Sequence, residues 1–110
     1  MSNRLGFRAY LKEYVTVPHF YFQPPENKKI SYPCVIYKVS RADTNHASNI
    51  PYHVSPIYEV VLIDQNPDSI HFEELLRVPR GKLVRTYEVD GLNHWVFQIY
   101  YTGTFPNINS

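Results

Sequence analysis

The chain has 110 residues, 44% of them hydrophobic, and its 11 basic and 10 acidic residues leave a net charge of +1. That length holds one domain with a modest core, and no apolar run reaches the eighteen or so residues that a membrane span needs. So balanced a charge argues against a dedicated nucleic-acid binder, whose affinity comes mainly from neutralising phosphates.

The N-terminal stretch MSNRLGFRAYLKEY lacks an apolar signal segment, so the chain is expected to stay in the cytoplasm of the cell that makes it. Within it Phe7, Tyr10, Leu11, Tyr14 and Val15 follow the i, i+3, i+4, i+7, i+8 spacing of a helix with one apolar face. Ser2 or Asn3 can cap that helix over residues 2–15, and the β-branched VTVP ends it. HFYF then reads as a short strand stopped by Pro24 and Pro25, and ENKKIS as a loop.

PCVIYKVSRA alternates as a strand, with Val35, Tyr37 and Val39 on one face and Cys34, Ile36 and Lys38 on the other. Cys34, the single cysteine, excludes an internal disulfide and the usual cysteine-based zinc sites. Inside a strand-like run it reads as a small core residue rather than a nucleophile. PIYEVVLID is a second strand, apolar on both faces except at Glu59, which predicts a central place in its sheet. Between the two lies DTNHASNIPYHVS, polar and without a core pattern. It is expected to belong to a long antiparallel hairpin, projecting over about residues 40–55, with its tip near Asp43 to Asn49. Such an arm buries little of itself and is costly to order in a monomer, so a neighbouring molecule is expected to hold it.

NPDSIHFEELLRVPRG runs from turn to cap to helix: Asp68 or Ser69 caps, Glu73 and Glu74 favour the N-terminal dipole, Phe72, Leu75 and Leu76 form the apolar stripe, and Pro79 closes it. KLVRTYEV and NHWVFQIYY are a hairpin turning at Asp90-Gly91, with a loop of four residues or a slightly different length. Trp95, Phe97 and Ile99 fall on a face suited to packing under a helix, and His94, Val96, Gln98 and Tyr100 on the other. The tail, residues 102–110, is expected to be flexible. The whole predicts a single α+β domain over 1–110, in the order α-β-β-β-α-β-β. Two helices would pack on a mixed or antiparallel sheet from which the long hairpin projects.

Catalytic and metal readings find little support. The five histidines, His19, His46, His53, His71 and His94, have none of the HxH, HxxxH or HExxH spacings of metal sites. A set such as Ser55 or Ser69 with His94 and Asp64 lacks the G-x-S-x-G elbow. Glu73 and Glu74 are adjacent on a helix and point about 100° apart. No phosphate-binding glycine loop is present. The Asp90, Asn93 and His94 cluster could serve a small hydrolase. RTYEV and YKVSR interleave cations with aromatics in the manner of single-strand binders, which keeps a small nucleic-acid-binding module as the alternative from a different class. Ten tyrosines and six phenylalanines exceed what so small a core needs, and tyrosine suits subunit interfaces.

Three stretches, YPCVIYKV, then ADTNHASNIPYHVSPIYEVVLIDQNPDS, then RTYEVDGLNHWVFQIYY, resemble the tail terminator, or tail completion, proteins of long-tailed bacteriophages. The resemblance covers roughly residues 31–101. It rests on Tyr32, Pro33 and Cys34; on Asp43, Asn49, Tyr52 and Tyr58; on Asp64, Pro67, Asp68 and Ser69; and on Asn93, His94, Phe97, Tyr100 and Tyr101. Gly91 stands where many members carry Asn before Leu92, a departure that still supplies a turn residue tolerant of positive φ. The order and spacing of these short motifs carry the specificity.

The resemblance implies a non-enzymatic virion protein of the tail and neck, made in the host cytoplasm, without cofactor or metal. It would form a ring, typically a hexamer, that caps the finished tail tube and offers a surface to the head connector. Its partners would be copies of itself, the tube protein and neck proteins, with no membrane and no specific nucleic acid, although the genome would pass through the ring. Another neck ring, for head completion or connector joining, is the alternative within the same class. Ring closure needs a heterologous interface. The expected contact residues are Arg41, Asp43, Asn45, His46, Asn49, Tyr52 and His53 on the hairpin; Phe72, Glu73 and Arg77 on the second helix; and His94, Gln98 and Tyr100 on the last strand.

Overall fold

The computed structural model describes residues 3–24, 29–40 and 57–101. They form one five-stranded mixed sheet with two helices, an α+β fold in the expected order. Helix α1 (Asn3–Lys12) is followed by strands β1 (His19–Phe22), β2 (Cys34–Ser40) and β3 (Ile57–Asp64). Helix α2 (Ile70–Leu76), β4 (Gly81–Val89) and β5 (Leu92–Tyr100) complete it. The spatial order is β1-β2-β3-β5-β4, so the doubly apolar β3 is the central strand, as its sequence requires. β1 pairs parallel to β2, and the remaining pairs are antiparallel.

β2 and β3 pair without interruption from Cys34 opposite Ile63 to Ser40 opposite Ile57. The two strands are therefore antiparallel as expected, while residues 41–56, which hold nearly all of the expected projection and its tip, lie outside the described residues, as does the tail 102–110.

One sheet face carries Phe20, Val35, Tyr37, Tyr58, Val60, Leu62, Trp95, Phe97 and Ile99, which join Phe7 and Leu11 of α1 and Leu75 of α2 in a single buried cluster. Aromatic rings dominate the contact. Phe7 lies flat on Tyr58, ring centroids 3.9 Å apart at 9°, and Tyr37 and Tyr101 pack at its edges. Phe72 of α2 stacks on Trp95 at 5.6 Å. Each fully buried ring or branched aliphatic removes enough apolar surface from water to contribute about 1.5–3 kcal/mol. α1 can sit this low because Gly6 has no side chain: a Cβ there would meet the Tyr101 hydroxyl at 3.0 Å.

Three local expectations need correction. The first helix ends at Lys12 and closes in a turn, in which Tyr14 and Val15 donate to the Leu11 carbonyl at 2.9 Å. In the second helix Leu76 is 54% exposed, and Val78, beyond the helix, fills the core in its place. A helix of seven residues has room for only one inward turn, which Phe72 and Leu75 occupy. The last hairpin closes with a two-residue loop, not a four-residue one. Asp90 (φ 54°) and Gly91 (φ 78°) both take the left-handed conformation, the geometry that matches the twist of the paired strands.

Candidate functional site: the open face of the sheet

Both helices pack on the face just described. The opposite face carries His19 and Tyr21 of β1; Cys34, Ile36 and Lys38 of β2; Glu59, Val61 and Ile63 of β3; and His94, Val96, Gln98 and Tyr100 of β5. No helix among the described residues covers it. Cys34, Ile63 and Val96 are nonetheless buried, while Tyr100 and Tyr87 remain about two-fifths exposed at 41% and 42%.

β4 adds an unexpected group of residues. Strict alternation from Lys82 would send Arg85 to the other side of the sheet. Instead the register slips between Leu83, opposite Phe97, and Arg85, opposite Val96, so that Val84 is the extra residue of a bulge. Lys82 opposes Gln98, Arg85 opposes Val96 and Tyr87 opposes His94, which places all three on the open face. Tyr87 and His94 stack at 4.5 Å and 13°, and the Arg85 guanidinium carbon lies 5.6 Å from the Tyr87 ring centre. His94 is oriented from below as well: its Nδ1 donates to the Leu92 carbonyl at 3.1 Å.

Charge is sorted across the sheet. Every Lys or Arg on a described strand, namely Lys38, Lys82 and Arg85, lies on the open face, and the single acid there, Glu59, sits 3.8 Å from Lys38. The other strand-borne acids, Asp64 and Glu88, oppose Asn93 and so lie on the helix side. The open face is thus apolar at its centre, aromatic and cationic toward β4 and β5.

Of the residues that suggested an active site, Asp64, Ser69, Asn93 and His94 have structural partners, and Ser55 lies outside the described residues. Asp64 Oδ1 accepts from the Asn66 amide at 3.1 Å, and Asn66 Oδ1 accepts from the Asp68 amide at 2.9 Å. These successive side-chain-to-backbone turns lead to Ser69, whose Oγ caps α2 by accepting from the His71 amide at 3.1 Å. Asn93 ties this loop to β5 by donating to the Asp64 and Gln65 carbonyls at 3.2 and 3.3 Å. Asp90 makes the turn. A shallow cleft of about 290 Å³ lies between this loop and the hairpin, lined by Pro67, Thr86, Tyr87, Glu88, Asn93, His94 and Trp95.

One polar network escaped sequence reasoning. Glu74 accepts from the Thr16 amide at 2.9 Å, from Thr16 Oγ1 at 2.9 Å and from His71 Nδ1 at 2.8 Å, joining α2 to the segment after α1. Burial pushes the Glu74 carboxyl up, but the Thr16 and His71 hydrogen bonds outweigh it, and the group ends below its ordinary value. Glu and His at i and i+3 on a helix were the available signal; Thr16, 58 positions away, gave none. Cys34 is fully buried, and burial, followed by the nearby Asp64 charge, pushes its thiol up to about 12, which leaves it a packing residue without thiolate character.

Of the expected contact residues, the fold brings His94, Gln98 and Tyr100 together on the open face. Glu73 and Arg77 are exposed on α2. Phe72 is largely committed to the core through Trp95 and Phe97. Arg41, Asp43, Asn45, His46, Asn49, Tyr52 and His53 lie outside the described residues. Among the described residues there is no cluster of three His, Cys, Asp or Glu able to hold a metal ion, and no helix long and apolar enough to cross a membrane. No protein-family model, no curated protein and no solved structure matches the chain.

Proposed function

We propose that this chain is a tail terminator of a long-tailed bacteriophage, a non-enzymatic virion protein. It would form a ring, taken as a hexamer, that occupies the docking surface of the last tube subunits, stops their polymerisation and faces the head connector. The ordered motifs between residues 31 and 101 support the family; the observation that carries an assembly role is the one-sided sheet. Tyr87, Tyr100, Lys82 and Arg85 stand exposed together on the face away from both described helices, where they add little to the domain's own core. Aromatic rings with arginine are the composition of protein interfaces, where buried rings supply affinity and charges set register. Asp64, Ser69 and Asn93, considered above for catalysis, hold the 64–69 loop and cap α2, which supports a structural role for them.

Tail length in particles assembled without the protein tests this reading. Tails of abnormal length are expected. Tails of normal length that fail to join heads would assign the chain to another ring of the neck, and normal, joined tails would remove the reading altogether.

A further inference from the structure

We propose that the outward surface of α2 docks on the open sheet face of a second copy of this chain, head to tail. The helix side displays Ile70 and Leu76, 63% and 54% exposed, two large aliphatics for which the domain itself has no cover. Around them stand exposed acids: Asp68 before the helix, Glu73 on it, and Glu88 on β4 beside Pro67, with the cations Arg77 and Arg80 after the helix. The sheet side offers the complement. Its exposed Tyr87 and Tyr100 provide ring surface for the aliphatics, and Lys82 and Arg85 have no acid partner among the described residues, since Glu59 already pairs with Lys38.

Like sides repel in this arrangement. Two open faces brought together would oppose Lys82 and Arg85 of both copies, and two α2 surfaces would oppose their acids. Helix side against sheet side pairs opposite signs. The two patches lie on opposite sides of one sheet, so they cannot meet by a twofold operation on a single patch. The contact is heterologous and leaves a free patch at each end, which a rotation between copies closes into a ring. That closure rests on the ring reading given above; the contact itself does not. Arg8 and Lys12 of α1, near Phe20 at the far end of the sheet, stay outside it.

Sedimentation of two complementary variants provides the test. A helix-side variant, Glu73→Lys with Leu76→Asp, keeps an intact sheet face; a sheet-side variant, Arg85→Glu with Tyr100→Ser, keeps an intact helix. All four positions are exposed, and an unchanged urea midpoint for each variant verifies folding. The wild-type protein is expected to self-associate, and each variant alone to associate at least tenfold more weakly. An equal mixture is expected to form a dimer and stop there, because the remaining ends are both broken. Either variant assembling like wild type, a mixture that stays monomeric while wild type associates, or a monomeric wild type would overturn the proposal. If the wild type stays monomeric yet binds a single-stranded oligonucleotide through Arg85, the face serves nucleic acid instead. Long tails in particles lacking the protein, together with a failed mixing experiment, would leave the terminator reading standing and remove only this contact.

Discussion

The two faces of the sheet are built from the same strands by opposite rules. The helix face is a closed stack of rings: Phe7 on Tyr58, Phe72 on Trp95, with Leu11, Leu75 and Val78 filling between them. The other face has an apolar centre of Ile36, Val61 and Val96, but its margin is wet: Lys38 with Glu59, Lys82, Arg85, Tyr87 on His94, and Tyr100. The first arrangement explains why the chain folds. The exposed margin of the second adds little to folding, and exposed rings beside cations that have no acid partner among the described residues suit an association surface. Substitutions on the two faces should therefore separate stability from assembly.

The largest effect on stability is expected at Phe7. Replacement by Ala removes a fully buried ring touching Tyr58, Tyr37 and Tyr101 and should cost about 3–5 kcal/mol, measured by urea unfolding. Much of a small domain's stability would go with it.

Glu74→Gln comes next, at about 1–2 kcal/mol near neutral pH, because the charge-assisted bonds from Thr16 and His71 are weakened. The pH dependence has a definite sign. The folded carboxyl titrates below its ordinary value of 4.5, so its contribution is fully present above that value and is lost as pH falls through the lower folded one. Urea midpoints followed from pH 6 downward should fall more steeply in the wild type than in the variant.

Gly91→Ala should cost about 1 kcal/mol. The space around it is open, and the penalty comes from a φ of 78° that a side chain disfavours. The smallest effect is expected on the open face: Lys82→Glu or Arg85→Glu should shift stability by no more than about 0.5 kcal/mol, as at other exposed positions. A loss at Arg85 as large as that at Phe7 would erase the distinction between the faces.

Much of the helix face was legible because burial writes itself into sequence period. Tyr58, Val60 and Leu62 alternated with a second apolar set, which fixed β3 as central, and Trp95, Phe97 and Ile99 were placed under a helix correctly. Ser69 was one of two candidate caps, and the structure selects it. The open face was only half legible. His94, Gln98 and Tyr100 followed from alternation, but Lys82, Arg85 and Tyr87 share their face only because of the bulge at Val84, and a bulge in a solvent-exposed strand leaves no apolar period to betray it. The Glu74–Thr16 bonds depend on how two distant segments pack, which local pattern does not encode. The hairpin arm, named as a contact element from its composition, falls outside the described residues.

The most direct measurement of the terminator role is the length of tail tubes polymerised in vitro from the tube protein while this protein is added in rising amounts. Electron micrographs should show tubes growing shorter with each addition and bearing a ring at one end. Tubes whose length distribution does not change, even with the protein in excess over tube ends, would contradict it.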